Sequence, residues 1–202
     1  TIGQDQLLLE LPGEQDPSRA AKVLGQTALL EFRAQKAGTE KEMLELKRFR
    51  SQLEAIIDYQ GINPNDAESS LQIKEKNQLT SDIRKAININ NDSDTKSIQL
   101  EDLINGLNRK IVDLLEPAYL TGKDLVSAGR QQEQNLSGWE VTLSFNQEGS
   151  RKFAELTQSI AGTGRLLGIV LDGSSISEAS VGEQFKTAGI TGGAATITGN
   201  FT

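Results

Sequence analysis

The chain has 202 residues, 36% hydrophobic and 24% charged, a globular balance with room for one ordinary core and a small satellite. Its net charge of −7 is spread as 11 basic against 15 acidic residues over 38–116 and 10 against 13 elsewhere, which leaves no basic patch for nucleic-acid phosphates. The absence of cysteine and histidine removes disulfides, thiol chemistry, zinc–thiolate sites, the commonest general base and the commonest transition-metal ligand; with no acid pair set in an apolar strand or helix face, the composition predicts a non-enzyme without cofactor or metal.

No run approaches the roughly 20 apolar residues needed to cross a bilayer, and no secretory signal pattern opens the chain. Thr1 is not preceded by methionine, as expected of a fragment, so the lack of a span says nothing about the parent.

In chain order, Gln6 to Leu11 is apolar and strand-like and ends at the turn pair Pro12-Gly13. Asp16-Pro17 reads as an N-cap and first helical residue, Ala20, Ala21, Val23 and Leu24 supply a buried stripe, and Gly25 closes the helix. Thr27 to Arg33 is the next strand, with Ala28, Leu30 and Phe32 on one face and Leu29, Glu31 and Arg33 on the other.

Composition then shifts to charge-rich segments with apolar residues at helical spacing, and residues 36–117 are expected to form an inserted helical head subdomain between two halves of a base, 1–35 and 118–202. Thr39 starts a helix carrying Met43, Leu46, Phe49 or Arg50, Leu53, Ile56 and Ile57, ended by Gly61. Asn63-Pro64 opens a second, with Leu71, Leu79, Ile83, Ala86 and Ile87 on its apolar side. After a polar loop at Asn90 to Asp94, Leu100, Leu103, Ile104, Leu107, Ile111, Leu114 and Leu115 give the cleanest stripe, ended by Pro117. Three such helices can bury their stripes only against one another.

Leu120 to Leu125 reads as a strand end or turn leading into a short helix through Ala128, followed by an exposed glutamine-rich linker, Arg130 to Leu136. Trp139, Val141, Leu143 and Phe145 alternate with polar residues as a half-buried strand. Gln147 to Ala161 switches to helical spacing with Phe153, Leu156, Thr157 and Ile160 on one stripe, and Gly162 and Gly164 stop it. Leu166 to Leu171 is a continuous apolar run suited to a covered strand, and Asp172-Gly173 is its turn. Ser174 to Glu178 and Ala194 to Thr198 add strands, with tight turns at Gly189, Gly192, Gly193 and Gly199. Strand–helix–strand patterns at both ends predict an α+β fold: a ferredoxin-like split βαβ base, an antiparallel or mixed sheet with helices on one face, carrying the helical insertion.

Three local patterns suggest chemistry and yield to simpler explanations. Gly162-Thr163-Gly164-Arg165 lacks the Gly-Lys-Ser/Thr ending of a phosphate loop and precedes a strand. Asp92 and Asp94 lack the glycine and distal glutamate of a calcium loop. Asp172-Gly173 is accounted for by a hairpin turn. The stripe Met43, Leu46, Phe49, Leu53, Ile56, Ile57, with Leu103 and Leu107 from the third helix, reads most simply as core; the alternative is a groove that accepts apolar segments of another chain. Gln35, Gly38, Pro117 and Gly122 flank the two connections and are the hinge candidates.

Leu11 to Gly13, Asp16-Pro17, Gly25 to Arg33, Leu120 to Leu125, Phe145 to Thr157, Ile169 to Gly173 and Ile197 to Phe201 resemble, in this order, the first large extracytoplasmic domain of the SecD family, membrane components assisting the Sec protein translocase. The resemblance covers roughly 5–34 and 118–202; Glu178-Ala179-Ser180 stands where the family often has a Ser-Ala-Pro turn, and the insertion matches only in position, as the variable head. It implies a monomeric periplasmic or lumenal fragment of a plasma-membrane or thylakoid protein, acting with SecF and the SecYEG channel in proton-motive-force-driven movement of unfolded preprotein. A swinging head would capture preprotein on the stripe. The rival is a structural module that docks without touching substrate. An exposed apolar groove favours capture, and burial of the stripes favours docking.

Overall fold

A computed structural model describes residues 8–10, 30–62, 70–89, 99–132 and 139–198. It divides into two units, Thr1–Gly38 with Leu114–Thr202 and, between them, Thr39–Asp113. The crossings lie three or four residues inside the boundaries expected from composition.

Among the described residues the first unit holds two four-stranded sheets. One has the order β1-β8-β5-β4, built from β1 (Leu8–Glu10), β4 (Leu125–Gln132), β5 (Trp139–Phe145) and β8 (Ala194–Thr198). In it β1 runs parallel to β8, and the other neighbours are antiparallel. The second has the order β3-β2-β6-β7, all antiparallel, from β2 (Leu30–Ala34), β3 (Leu120–Thr121), β6 (Leu166–Leu171) and β7 (Ser174–Ser180).

Local chemistry explains most of these elements. In β2, Leu30, Phe32 and Ala34 turn inward while Glu31 and Arg33 are half-buried and pair with each other at 2.7 Å. β6 is buried over Leu167 to Val170, as a continuous apolar run requires. Asp172 (φ 51°) and Gly173 (φ 77°) supply the two left-handed residues of a tight hairpin into β7. The helix Gln147–Ile160 begins where the Asn146 side chain accepts the Gly149 N–H at 2.8 Å. Its stripe of Phe153, Leu156, Thr157 and Ile160 is buried. Phe153 stacks on Phe145 at 4.7 Å between ring centroids, and Phe32 meets both edge-on, so one aromatic cluster joins residues of both sheets to the helix.

The second unit contains α1 (Glu40–Ile62), α2 (Ser70–Ala86) and α3 (Leu100–Asp113); the α-helix Gln147–Ile160 described above in the first unit is α4. Met43, Leu46, Phe49 and Leu53 of α1, Ile83 of α2, and Leu103, Leu107 and Ile111 of α3 are buried. Arg50, also buried, donates to Asn108 Oδ1 at 3.0 Å and ties α1 to α3.

The α+β class with an inserted helical part is the architecture present. Four expectations need correction or narrowing. The strands do not form one split βαβ sheet: β5 and β6, joined through α4, lie in different sheets. No helix runs to Ala128; one 3-10 turn at Gly122–Asp124 leads directly into β4, because Leu125 onward pairs with the distant β5. Arg130 to Gln132 belong to that strand rather than to a linker. β7 continues two residues beyond Glu178. The expected helix at Asp16 to Leu24, the Asn63-Pro64 start, the Asn90 to Asp94 loop, the rest of the expected linker at 133–136 and Gly199 lie outside the described residues.

Candidate functional site

The apolar stripe shared by α1 and α3 is buried. Leu53 and Leu107 are 0% exposed, Met43, Leu46, Leu103 and Phe49 no more than 6%. Ile56 and Ile57 are half-buried. The sequence-selected residues are thus brought together, but as the packed interior of the helical unit: the groove is closed. The large apolar side chains that do meet solvent among the described residues are Leu44 and Val126 at 70%, Tyr119 at 47%, Ile73 and Ile89. Sequence periodicity did not select them, since a helical stripe identifies the inside; Leu44 is legible only as the position beside Met43 that the inward spacing leaves out.

The hinge candidates separate as well. Gln35 is buried and bridges Leu115. Its N–H donates to Leu166 O at 2.8 Å, its side-chain oxygen accepts from Leu166 N at 3.0 Å, and its own carbonyl accepts from Arg165 Nε at 2.6 Å. Lys36 N donates to Leu114 O and Glu116 N to Ala34 O, both at 2.8 Å. The two connections therefore form a short antiparallel neck that continues the C-terminal end of β2 within the first unit. Pro117 and Gly122 follow this ladder within the same unit, and only Gly38, at φ 82°, stands at a crossing.

The segments Leu120 to Leu125 and Phe145 to Thr157 meet at the start of α4. Asp124 Oδ2 accepts the Thr121 N–H at 2.9 Å, and Oδ1 pairs with Lys152 Nζ at 3.0 Å. Asp124 O accepts the Asn146 N–H at 2.9 Å, and the Asn146 side-chain amide donates to Lys123 O. A Cβ on Gly149 would come within 2.5 Å of Asp124 O. Burial pushes the Asp124 carboxyl up, but the Thr121 N–H and the Lys152 ammonium outweigh it and hold it below the ordinary value. These residues fasten a turn to a helix.

On the outer side of α4, the Tyr119 hydroxyl donates to Glu155 at 2.6 Å, which raises the phenol and lowers the carboxyl. Arg151 bridges Glu148 and Glu155 and is itself raised, chiefly by its hydrogen bond to Glu148. The network is exposed, where ion pairs stabilise weakly. Among the described residues no group of three or more acids is placed to hold a metal, and no helix is long and apolar enough to cross a membrane.

Two family models match: the SecDF P1 head subdomain over residues 101–202 and the N-terminal part of the SecDF P1 domain over 1–37. The head match begins within α3 and runs to residue 202. The chain is 58% identical to the protein translocase subunit SecD of Prochlorococcus marinus over 202 residues, 100% of this chain and 41% of that protein. It is 42% identical to SecD of a Synechocystis species, covering 100% of this chain and 38% of the relative, so it spans about two fifths of these proteins. A solved structure of SecDF, described as a membrane component that enhances protein export, aligns over 97% of this chain and 71% of its own at 25% identity, with a TM-score of 0.44. With one family model covering its C-terminal half and SecD relatives aligned along its full length, the chain belongs to the P1 domain family of SecD and SecDF protein translocase subunits.

Proposed function

We propose that this chain is the extracytoplasmic, periplasmic or lumenal, part of a SecD-type subunit that engages unfolded preprotein and assists its proton-motive-force-driven movement after the ATP-driven step, alongside SecF and the SecYEG channel. The parent sits in the plasma membrane or a thylakoid membrane. The observation that carries this reading is the alignment of the whole chain with SecD translocase subunits. A chain without histidine or cysteine suits holding rather than catalysis. With the α1–α3 stripe closed, preprotein would meet outward-facing positions, weakly and with little sequence preference, as a factor that must release its passenger requires.

The second reading, a module that docks within the translocase without touching preprotein, draws support from the burial of Met43, Leu46, Phe49, Leu53, Leu103 and Leu107. Photocrosslinkers placed singly at Leu44, Ile73 and Val126 of the full-length parent, with Leu53 as a buried control, separate the two during arrested translocation. Adducts to precursor at an exposed position are expected. Adducts confined to other translocase subunits would overturn capture and leave docking.

A further inference from the structure

Among the described residues β4 pairs with β5 alone and ends its sheet. Proteins usually blunt such an edge by keeping it short, or with proline, lysine or a bulge. β4 has eight residues, Leu-Val-Ser-Ala-Gly-Arg-Gln-Gln, with no proline or lysine and Arg130 as its single charged residue. Its one irregularity lies at its start, between Leu125 and Ser127. Beyond that, Ser127 to Gln132 run in unbroken register with Ser144 to Trp139. Six residues at about 3.3 Å each give roughly 20 Å of regular ladder whose alternate N–H and C=O groups point away from β5. At its start Val126 and Ser127 are exposed, and the next two residues are Ala128 and Gly129, so little side-chain bulk opposes an approaching backbone.

We infer that the outer edge of β4 over Ser127 to Gln132 is a strand-addition site for a segment of extended, unfolded polypeptide. A row of main-chain donors and acceptors selects for an extended backbone rather than for a side-chain sequence, the recognition a carrier of many different passengers needs. This rests on the capture reading and gives it a place. The closed α1–α3 stripe is then not required for holding.

Amide hydrogen exchange on the 202-residue chain tests it, with and without an excess of an unfolded, apolar-rich precursor segment. A control is the same segment N-methylated at alternate residues on one edge, which cannot complete a ladder but keeps its apolar side chains. Alternate amides within Ser127 to Gln132 should exchange at least about tenfold more slowly with the unmodified segment and be unchanged with the control. Binding of both segments alike, or protection confined to the outer faces of α1 and α2, would overturn strand addition while leaving capture standing. No binding of either segment would overturn both. Protection of β4 that rises with protein concentration without any segment would assign the edge to a second copy of this chain instead.

Discussion

At Asp124 a single carboxylate receives a backbone N–H from Thr121 and the ammonium of Lys152, while its carbonyl receives Asn146. Asp124→Ala leaves two of these donors unmet and should cost about 1–3 kcal/mol in denaturant unfolding. Because the folded-state carboxyl is held below its ordinary value, this stabilisation is fully present above the unfolded value of roughly 4 and disappears as pH falls through the folded one. The stability gap between the parent and Asp124→Asn should therefore be constant at neutral pH and close in acid; a gap that persists with Asp124 protonated would overturn the assignment. Gly189 is a second single-residue constraint: its φ is 70°, and an added Cβ would strike the Ala154 carbonyl. Gly189→Ala should cost upwards of about 2 kcal/mol, read as a lowered unfolding midpoint. The sequence marked Gly189 as a turn but carried no sign that α4 would press against it, because that contact spans 35 positions of chain.

Within the helical unit, neighbouring residues on α1 have opposite fates. Leu46 is buried and Leu44 is 70% exposed. Leu44→Asp should leave stability within about 0.5 kcal/mol, whereas Leu46→Asp places an unpaired charge in the interior and should unfold the unit. Leu107→Ala on α3, which removes a fully buried side chain, should cost about 2–5 kcal/mol and speed amide exchange in α1 to α3 with little change in the β6 amides. Near-wild-type exchange in Leu107→Ala would show that the stripe is not the interior. The helices were legible because their period is local: Met43, Leu46 and Leu53 announce one face. β4 was not, because Leu-Val-Ser-Ala-Gly-Arg lacks alternation and becomes a strand by pairing with β5.

Between its two units the chain crosses twice, at 38–39 and 113–114. Both connections are pinned into one ladder by Gln35, Lys36, Leu114 and Glu116, with Arg165 bonded to the Gln35 carbonyl. Arg165→Ala removes that bond and should weaken the neck by about 1 kcal/mol. Faster exchange of the Lys36 and Glu116 amides, with β6 and β7 unaffected, is the expected outcome; unchanged exchange would mean Arg165 does not hold the neck. Of the hinge candidates, Gln35, Pro117 and Gly122 lie inside the first unit and only Gly38 stands at a crossing, because helix-breaker chemistry reports local backbone freedom and not cross-strand pairing.

The sequence by itself determined the family, the α+β class, the helical insertion, β2, β5, α4, β6 and the Asp172-Gly173 hairpin, since each is written in a short-range period, a cap, a turn or an ordered set of motifs. Tertiary structure alone decided that those strands divide between two sheets, that β4 stands at an edge among the described residues, that the apolar stripe closes on itself, and that Gln35 and Leu115 meet. Each of those depends on contacts between residues far apart in the chain, where hydrogen-bond pairing and burial, rather than local preference, select the outcome.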